Sequence, residues 1–212
     1  MTLEGTNTYV VGESPAYVID PGPADEGHIA AVRAAAEERG GLAGVLLTHS
    51  HGDHADGVEL LGAPLVDGPF DSIHTPGHAE DHVCFVADGV CFTGDLILGE
   101  GSTIVAPGGG SLVAYLDSLH RVGELDLELL CPGHGPYVPD PRAKVAEYIE
   151  HRLDRERKLV AALDAGERSR SRLLDLAWDD VPGELRPMAA LAMEAHMEKL
   201  EAEGRLPAGL QD

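Results

Sequence analysis

The chain has 212 residues, 43% of them hydrophobic, which is enough to bury a core and too apolar for a disordered chain. Its formal charge is −22, so it attracts polyanions poorly over long range, and any nucleic acid would have to be held by local charge. No apolar run approaches the ~20 residues of a bilayer span, and "MTLEGTNTYV" lacks the basic start and apolar stretch of a secretory signal; both point to the cytoplasm and away from a membrane.

"NTYVVG" and "AYVID" read as a strand pair. "DEGHIAAVRAAAEERGG" follows as a helix, with Ile29, Val32 and Ala36 on one face and a Gly-Gly stop. "GVLLT" is a short buried strand, and positions 54–62 form a helix behind it. "HVCFVADGVCFTGD" is a hairpin turning on Asp88-Gly89. "SLVAYLDSLHRV" is a helix capped by Ser111, and "LELLCPGHG" is a strand that ends in a turn. The three cysteines, Cys84, Cys91 and Cys131, sit inside strand-like runs, as buried small hydrophobes rather than a disulfide framework.

The pattern changes at Pro139-Asp140-Pro141, dividing the chain into residues 1–140 and 141–212. The first part holds 3 Lys/Arg and 22 Asp/Glu, a charge of −19; the second holds 12 and 15, a charge of −3. The second part is helical. Val145, Ile149, Leu153, Val160 and Leu163 mark one face of a long helix, and "SRSRLLDLAW" starts another. The last helix, ended by Gly204, carries two apolar stripes: Met188, Leu191, Ala192 and Ala195, then Ala190, Met193, Met197 and Leu200. Two stripes predict burial on adjacent faces, one of them open to a homodimer contact.

The densest chemistry lies in "THSHGDHADG". His49 and His51 are two apart at a strand end, so both imidazoles can turn to one ion. Asp53 and His54 open the next helix within reach of a neighbouring ion. Similar residues recur at later strand ends: His78 in "HTPGH", Asp95 in "FTGD" and His134 in "CPGHG". Seven N/O ligands without cysteine exceed a closed structural zinc site and suit two divalent ions with open positions, Asp95 bridging them. Imidazole-rich sites suit zinc; iron and manganese are compatible.

The set "HSHGDH … TPGH … TGD … PGHG" resembles the metallo-β-lactamase superfamily. The resemblance implies an α/β, αββα sandwich, with the metals at one edge of two packed sheets. It assigns His49, His51 and His78 to a first metal, Asp53, His54 and His134 to a second, and Asp95 to both. "LEGTNTYVVG", "TPGHAEDHV", "TGDLILGEGST", "YIEHRLDRERKL" and "HMEKLEAEGRL" resemble the lactamase-beta-like protein 2 group more narrowly. That group carries a small helical, winged-helix-like C-terminal domain, and some members cut single-stranded RNA. Two departures stand out. The chain begins almost at "GTNTY", where a further strand is expected upstream. Only 23 residues separate His54 from His78, fewer than the group usually has, so a loop that would cover the site is shortened.

The reaction expected is hydrolysis by a hydroxide shared between two metal ions, with Asp53 both a ligand and the catalytic group that orients or deprotonates the nucleophile. His82 reads either as an acid for the leaving group or as a residue behind a ligand. Asn7 and "GEGST" border the site or are ordinary turns; "PGGGS" lacks a phosphate-loop pattern and reads as a flexible loop. Lactam hydrolysis is disfavoured, because true β-lactamases of this superfamily usually have Cys where Asp95 stands. Single-stranded RNA is the substrate favoured by the resemblance and by Arg152, Arg155, Arg157, Lys158, Arg168, Arg170 and Arg172, which are equally readable as a solvated helix face. A small ester or thioester, as in the glyoxalase II branch, is the rival. A metal-dependent nucleic-acid-binding protein without turnover is the reading of another class.

Overall fold

The structure, a computed structural model, describes residues 5–212. Strands β1 (Tyr9–Val11), β2 (Ala16–Ile19) and β3 (Leu42–Leu46) form one sheet in that order. β3 runs parallel to β2, which requires a crossover; α1 (Glu26–Glu38) supplies it. After the short helices α2 (Gly52–Ala55) and α3 (Gly57–Leu61), a second sheet forms from β4 (Asp71–His74), β5 (Val83–Ala87), β6 (Val90–Gly94) and β7 (Leu129–Pro132). Helix α4 (Leu112–Gly123) is the crossover to its parallel strand β7.

Strand alternation decides how the layers stack. Val18 and Val45 face out and pack with Ile29, Val32 and Leu61. Their neighbours Ile19 and Leu46 face in and meet Phe85, Phe92 and Cys131 of the second sheet. Across that sheet Cys84, Cys91 and Leu130 turn to Tyr115 and Leu119 of α4. The result is helix on sheet on sheet on helix, with all three cysteines free and buried.

The β5–β6 hairpin turns on Asp88 and Gly89, whose positive φ angles of 49° and 77° are those of a tight two-residue turn. Ser111 caps α4 by accepting from the Ala114 amide. Two local expectations need correction. The strand expected at "GVLLT" starts at Leu42 instead. The helix expected over 54–62 is broken at Asp56, because the Gly57 amide donates to the Gly22 carbonyl at 2.8 Å rather than continuing the helical ladder. β4 shows no apolar alternation to read: its residues are mostly exposed at the sheet edge.

Beyond residue 140 come α5 (Pro141–Asp164), α6 (Arg170–Ala177) and α7 (Arg186–Ala202). Val145 and Tyr148 of α5 join the core under α4, while Leu159 and Leu163 join a separate core with Leu173, Trp178 and Met193. Helix α7 is buried on two sides: Ala195 packs into the first core and Met193, Met197 and Leu200 into the second. The stripes differ from expectation in detail. Leu191 and Leu153 are exposed, whereas Arg152 and Arg155 are buried. The buried face of α5 follows 145, 148, 152, 155, 159 and 162, a helical row that passes through the arginines. A single bridge pairs Ser169 with Gln211 behind α6. No helix among the described residues is long and apolar enough to cross a membrane.

Candidate metal centre

The C-terminal ends of the strands deliver the polar residues to one edge of the sandwich. His49 and His51 follow β3, Asp53 and His54 lie on α2, His78 lies between β4 and β5, Asp95 follows β6, and His134 follows β7. All seven side chains named from the sequence meet there. In one group, His51 Nδ1 is 3.0 Å from both His49 Nε2 and His78 Nε2. In a second, His134 Nε2 is 3.3 Å from both His54 Nε2 and Asp53 Oδ2. Asp95 stands between them: Oδ1 is 3.4 Å from His54 Nε2 and from His134 Nε2, and Oδ2 is 3.6 Å from His78 Nε2.

These spacings match the edge of a tetrahedron about one ion, about 3.3 Å for ligand bonds near 2.05 Å. The outer hydrogen bonds set the tautomers accordingly. His78 Nδ1–H donates to the Ile104 carbonyl, His134 Nδ1–H to the Gly5 carbonyl and His54 Nδ1–H to Asp20. Thr48 donates its hydroxyl to Asp20 and so accepts from His49 Nδ1–H. Each bond leaves an Nε2 lone pair facing its neighbours. Asp95 Oδ1 is buried with no donor among the described residues. Converging lone pairs around an orphaned carboxylate oxygen fit a cation. Burial disfavours the His54 imidazolium, yet Asp20 and Asp95 outweigh it and raise its pKa to about 10. Burial likewise opposes the Asp95 carboxylate, but His134 and His54 hold it well below the usual range. Burial disfavours a proton on His49 and His78, whereas the carboxylates favour positive charge, as a proton or as a metal ion, beside His54 and His134.

Asp20 escaped the sequence reading. It follows β2, is buried, and accepts from the Thr48 amide and hydroxyl at 2.7 Å while holding His54 at 2.8 Å. Its only signal was an aspartate closing the apolar run "AYVID". Asn7 also acts from behind the ligands: its amide donates to the Pro132 and Gly135 carbonyls and pins the loop carrying His134. His82 is fully buried. Its Nδ1–H donates to the Thr75 hydroxyl, and its Nε2 accepts the Asp95 amide at 3.2 Å. Burial, then the neighbouring His78, lowers its pKa to about 3. It positions Asp95, and no leaving group can reach it. Gly94 and Gly133 let the loops close: a Cβ at Gly94 would lie 2.5 Å from Thr48 Oγ1, and one at Gly133 would lie 2.6 Å from His54 Cε1. "PGGGS" leads into the α4 cap, with the Ser111 amide bound to the Gly77 carbonyl.

The sequence profile described as the Metallo-beta-lactamase superfamily matches residues 1–63 and 62–134. The chain belongs to this superfamily. Its members are hydrolytic metalloenzymes that bind divalent metals, and this chain is a hydrolase of that kind. A second profile, Beta-lactamase associated winged helix domain, matches residues 171–207. The chain is similar to a Drosophila melanogaster protein named Beta-lactamase-like protein 2 homolog, 30% identical over 97% of this chain and 85% of that one. It is also similar to an Atrochrysone carboxyl ACP thioesterase of Aspergillus chevalieri, 37% identical over 76% of this chain but only 61% of the relative's length. A metallo-beta-lactamase family protein of Thermus thermophilus shares the fold, with TM-score 0.75 and 22% identity over 94% of this chain and 89% of that one. The two profile segments meet at residues 62–63, and the fly alignment spans 255 positions against 212 residues here.

The metal edge opens into a cleft of about 350 Å³ bordered by His51, Asp53, Glu100, Thr103 and, from the C-terminal part, Leu185. The Arg-rich run does not line it as a free cationic track. Arg155 pairs with Asp180, Arg157 with Glu150, Lys158 with Asp154 and Asp179, Arg170 with Glu194, and Arg172 with Asp175. Arg168 donates to the Leu163 and Glu167 carbonyls.

Proposed function

We propose that the chain hydrolyses an acyl thioester or ester with two divalent ions, zinc being the ion that five imidazoles suit best. His49, His51 and His78 would hold one ion, Asp53, His54 and His134 the other, and Asp95 both. When bound, the ions supply a water of lowered pKa and a Lewis acid for the substrate oxygen. In the reaction a water oxygen adds to the acyl carbon, the carbon–sulfur or carbon–oxygen bond breaks, and a carboxylate, a thiol or alcohol and a proton result. Asp53 is the carboxylate at the mouth, its side chain 33% exposed against 13% for Asp95. It is placed to orient the water and take its proton, while Asp95, tethered by His82, keeps its geometry.

The observation that carries the choice of substrate is the engagement of the tail cations. RNA binding needs phosphate-facing Lys and Arg. In this chain Arg155, Arg157, Lys158, Arg170 and Arg172 pair with carboxylates, while Arg168 and Arg152, without a carboxylate partner among the described residues, donate to carbonyls, which also weakens the reading as a nucleic-acid binder without turnover. The fungal relative's name, an acyl-carrier thioesterase, supports the acyl reading. The test is thiol release from N-acetylcysteamine thioesters by zinc-loaded protein, beside labelled single-stranded RNA. Thioester hydrolysis is expected, reduced about 100-fold or more by Asp53→Ala with the circular dichroism unchanged. RNA cleaved and thioesters spared would reverse the assignment.

A further inference from the structure

The metal cleft continues past its ligands. Beyond Ser102, Thr103 and Ile104 a second cavity of about 180 Å³ opens between the loop and the C-terminal helices; the two hollows share those residues and Leu185. Its far wall is apolar, made by Trp178, Val181, Met188, Ala189 and Ala192. Arg152 and Arg155 enter the wall from α5, so "GEGST" and "YIEHR", the two stretches the metal chemistry leaves unexplained, meet here.

The two arginines differ. Arg155 is neutralised by Asp180 at 2.7 Å. Arg152 is 4% exposed, donates Nη2 to the Thr103 carbonyl and lies over the Tyr115 ring at 5.2 Å. Among the described residues no carboxylate pairs with it; its Nε has no acceptor there, as is also true of Arg155 Nε, so the missing carboxylate is what sets Arg152 apart. A buried charge without a counter-ion is unfavourable until one arrives. Apolar walls with one convergent charged group are the make-up of a small-molecule site.

We infer that this cavity is a subsite for the substrate of the metal centre, taking an apolar acyl group whose far end carries a carboxylate held by Arg152. The identity of the ligand as an acyl group rests on the acyl-hydrolase reading; the carboxylate site does not. Trp178 is the only tryptophan and stands in the wall, so its emission reports occupancy. Metal-loaded protein is titrated with 4-phenylbutyrate and with 4-phenylbutanol, which shares the apolar body without the charge. The acid is expected to bind at least about 10-fold tighter, the scale of one charge-assisted pair. Ala192→Phe, which fills the cavity, should remove the response to both. Arg152→Gln should abolish the preference for the acid and Arg152→Lys should keep it, which separates loss of charge from loss of the Thr103 brace. A silent Trp178, equal affinity for acid and alcohol, or an acid preference that survives Arg152→Gln and Ala192→Phe overturns the subsite; the last would mean that the carboxylate sits on the metals. Thiol release from N-acetylcysteamine thioesters separates the two claims. Acid bound at Trp178 without thioester hydrolysis supports the carboxylate site and rejects the acyl-hydrolase reading. Hydrolysis with a silent Trp178 rejects the subsite alone.

Discussion

Two residues behind the ligands carry the sharpest consequences. Asp20 gives both oxygens to neighbours, one to the Thr48 amide and one shared by the Thr48 hydroxyl and His54 Nδ1. In Asp20→Asn an amide NH₂ would face donors or the acceptor set would be halved. Zinc affinity at the Asp53, His54 and His134 group should fall about 10–100-fold, the usual effect of losing such an outer partner. Competition with a fluorescent chelator resolves the two ions, and unchanged affinity at both would refute the role. Gly94 is the second case. Its φ is +46°, and a Cβ would meet Thr48 Oγ1 at 2.5 Å and His82 Nε2 at 2.8 Å. Gly94→Ala should cost about 1–3 kcal/mol from backbone strain, read as a lower Tm, with loosened Asp95 as a further effect.

Among the helices, α7 carries a group with a pH dependence of its own. His196 is buried with neither ring nitrogen bonded among the described residues, its ring 5.6 Å from that of Trp178. Burial, then Arg152 and Lys199, lowers its pKa from 6.5 to about 3. The unfolded chain therefore binds a proton below pH 6.5 that the folded chain refuses. Stability from this group is complete above 6.5 and declines as pH falls toward 3, by up to about 1.4 kcal/mol per unit. Urea unfolding of His196→Met followed by Trp178 emission should show a shallower acid slope than the native chain; parallel slopes would contradict this. On α5, by contrast, the exposed pairs of Arg157 and Lys158 should matter little. Replacing both by Ala should change stability by less than about 1 kcal/mol and leave thioester turnover intact.

For the molecule as a whole, charge governs encounter. The chain carries −22, and its body of −19 surrounds a centre built for cations. Anionic substrates are repelled until they reach the cleft, so kcat/KM for a carboxylate-bearing thioester should rise as salt screens that field between about 10 and 200 mM. A neutral thioester should respond little. An RNA-binding protein would show the reverse, weakening with salt, so stopped-flow rates at several ionic strengths separate the two. The seven ligands converge only in the folded chain, so excess zinc should raise Tm and a chelator lower it, by an amount that grows with ion concentration.

Much of this was legible in the residues themselves. His49, His51, Asp53, His54, His78, Asp95 and His134 stood out because strand ends put chemically unusual side chains at short spacings, and local spacing survives in sequence. The Asp88-Gly89 turn and the Ser111 cap were readable for the same reason: each is decided within four residues. What the tertiary structure alone decided were matters of long-range packing. Asp20 reaches His54 across 34 positions, and Arg152 reaches Thr103 across 49. β4 pairs at an edge that demands no apolar alternation. The row of α5 that turns inward passes through Arg152 and Arg155 because the ring of Tyr115, the ring of Trp178 and nearby carbonyls receive them. A helix's hydrophobic count cannot see such partners, since burial of a charge depends on what the rest of the chain brings to meet it.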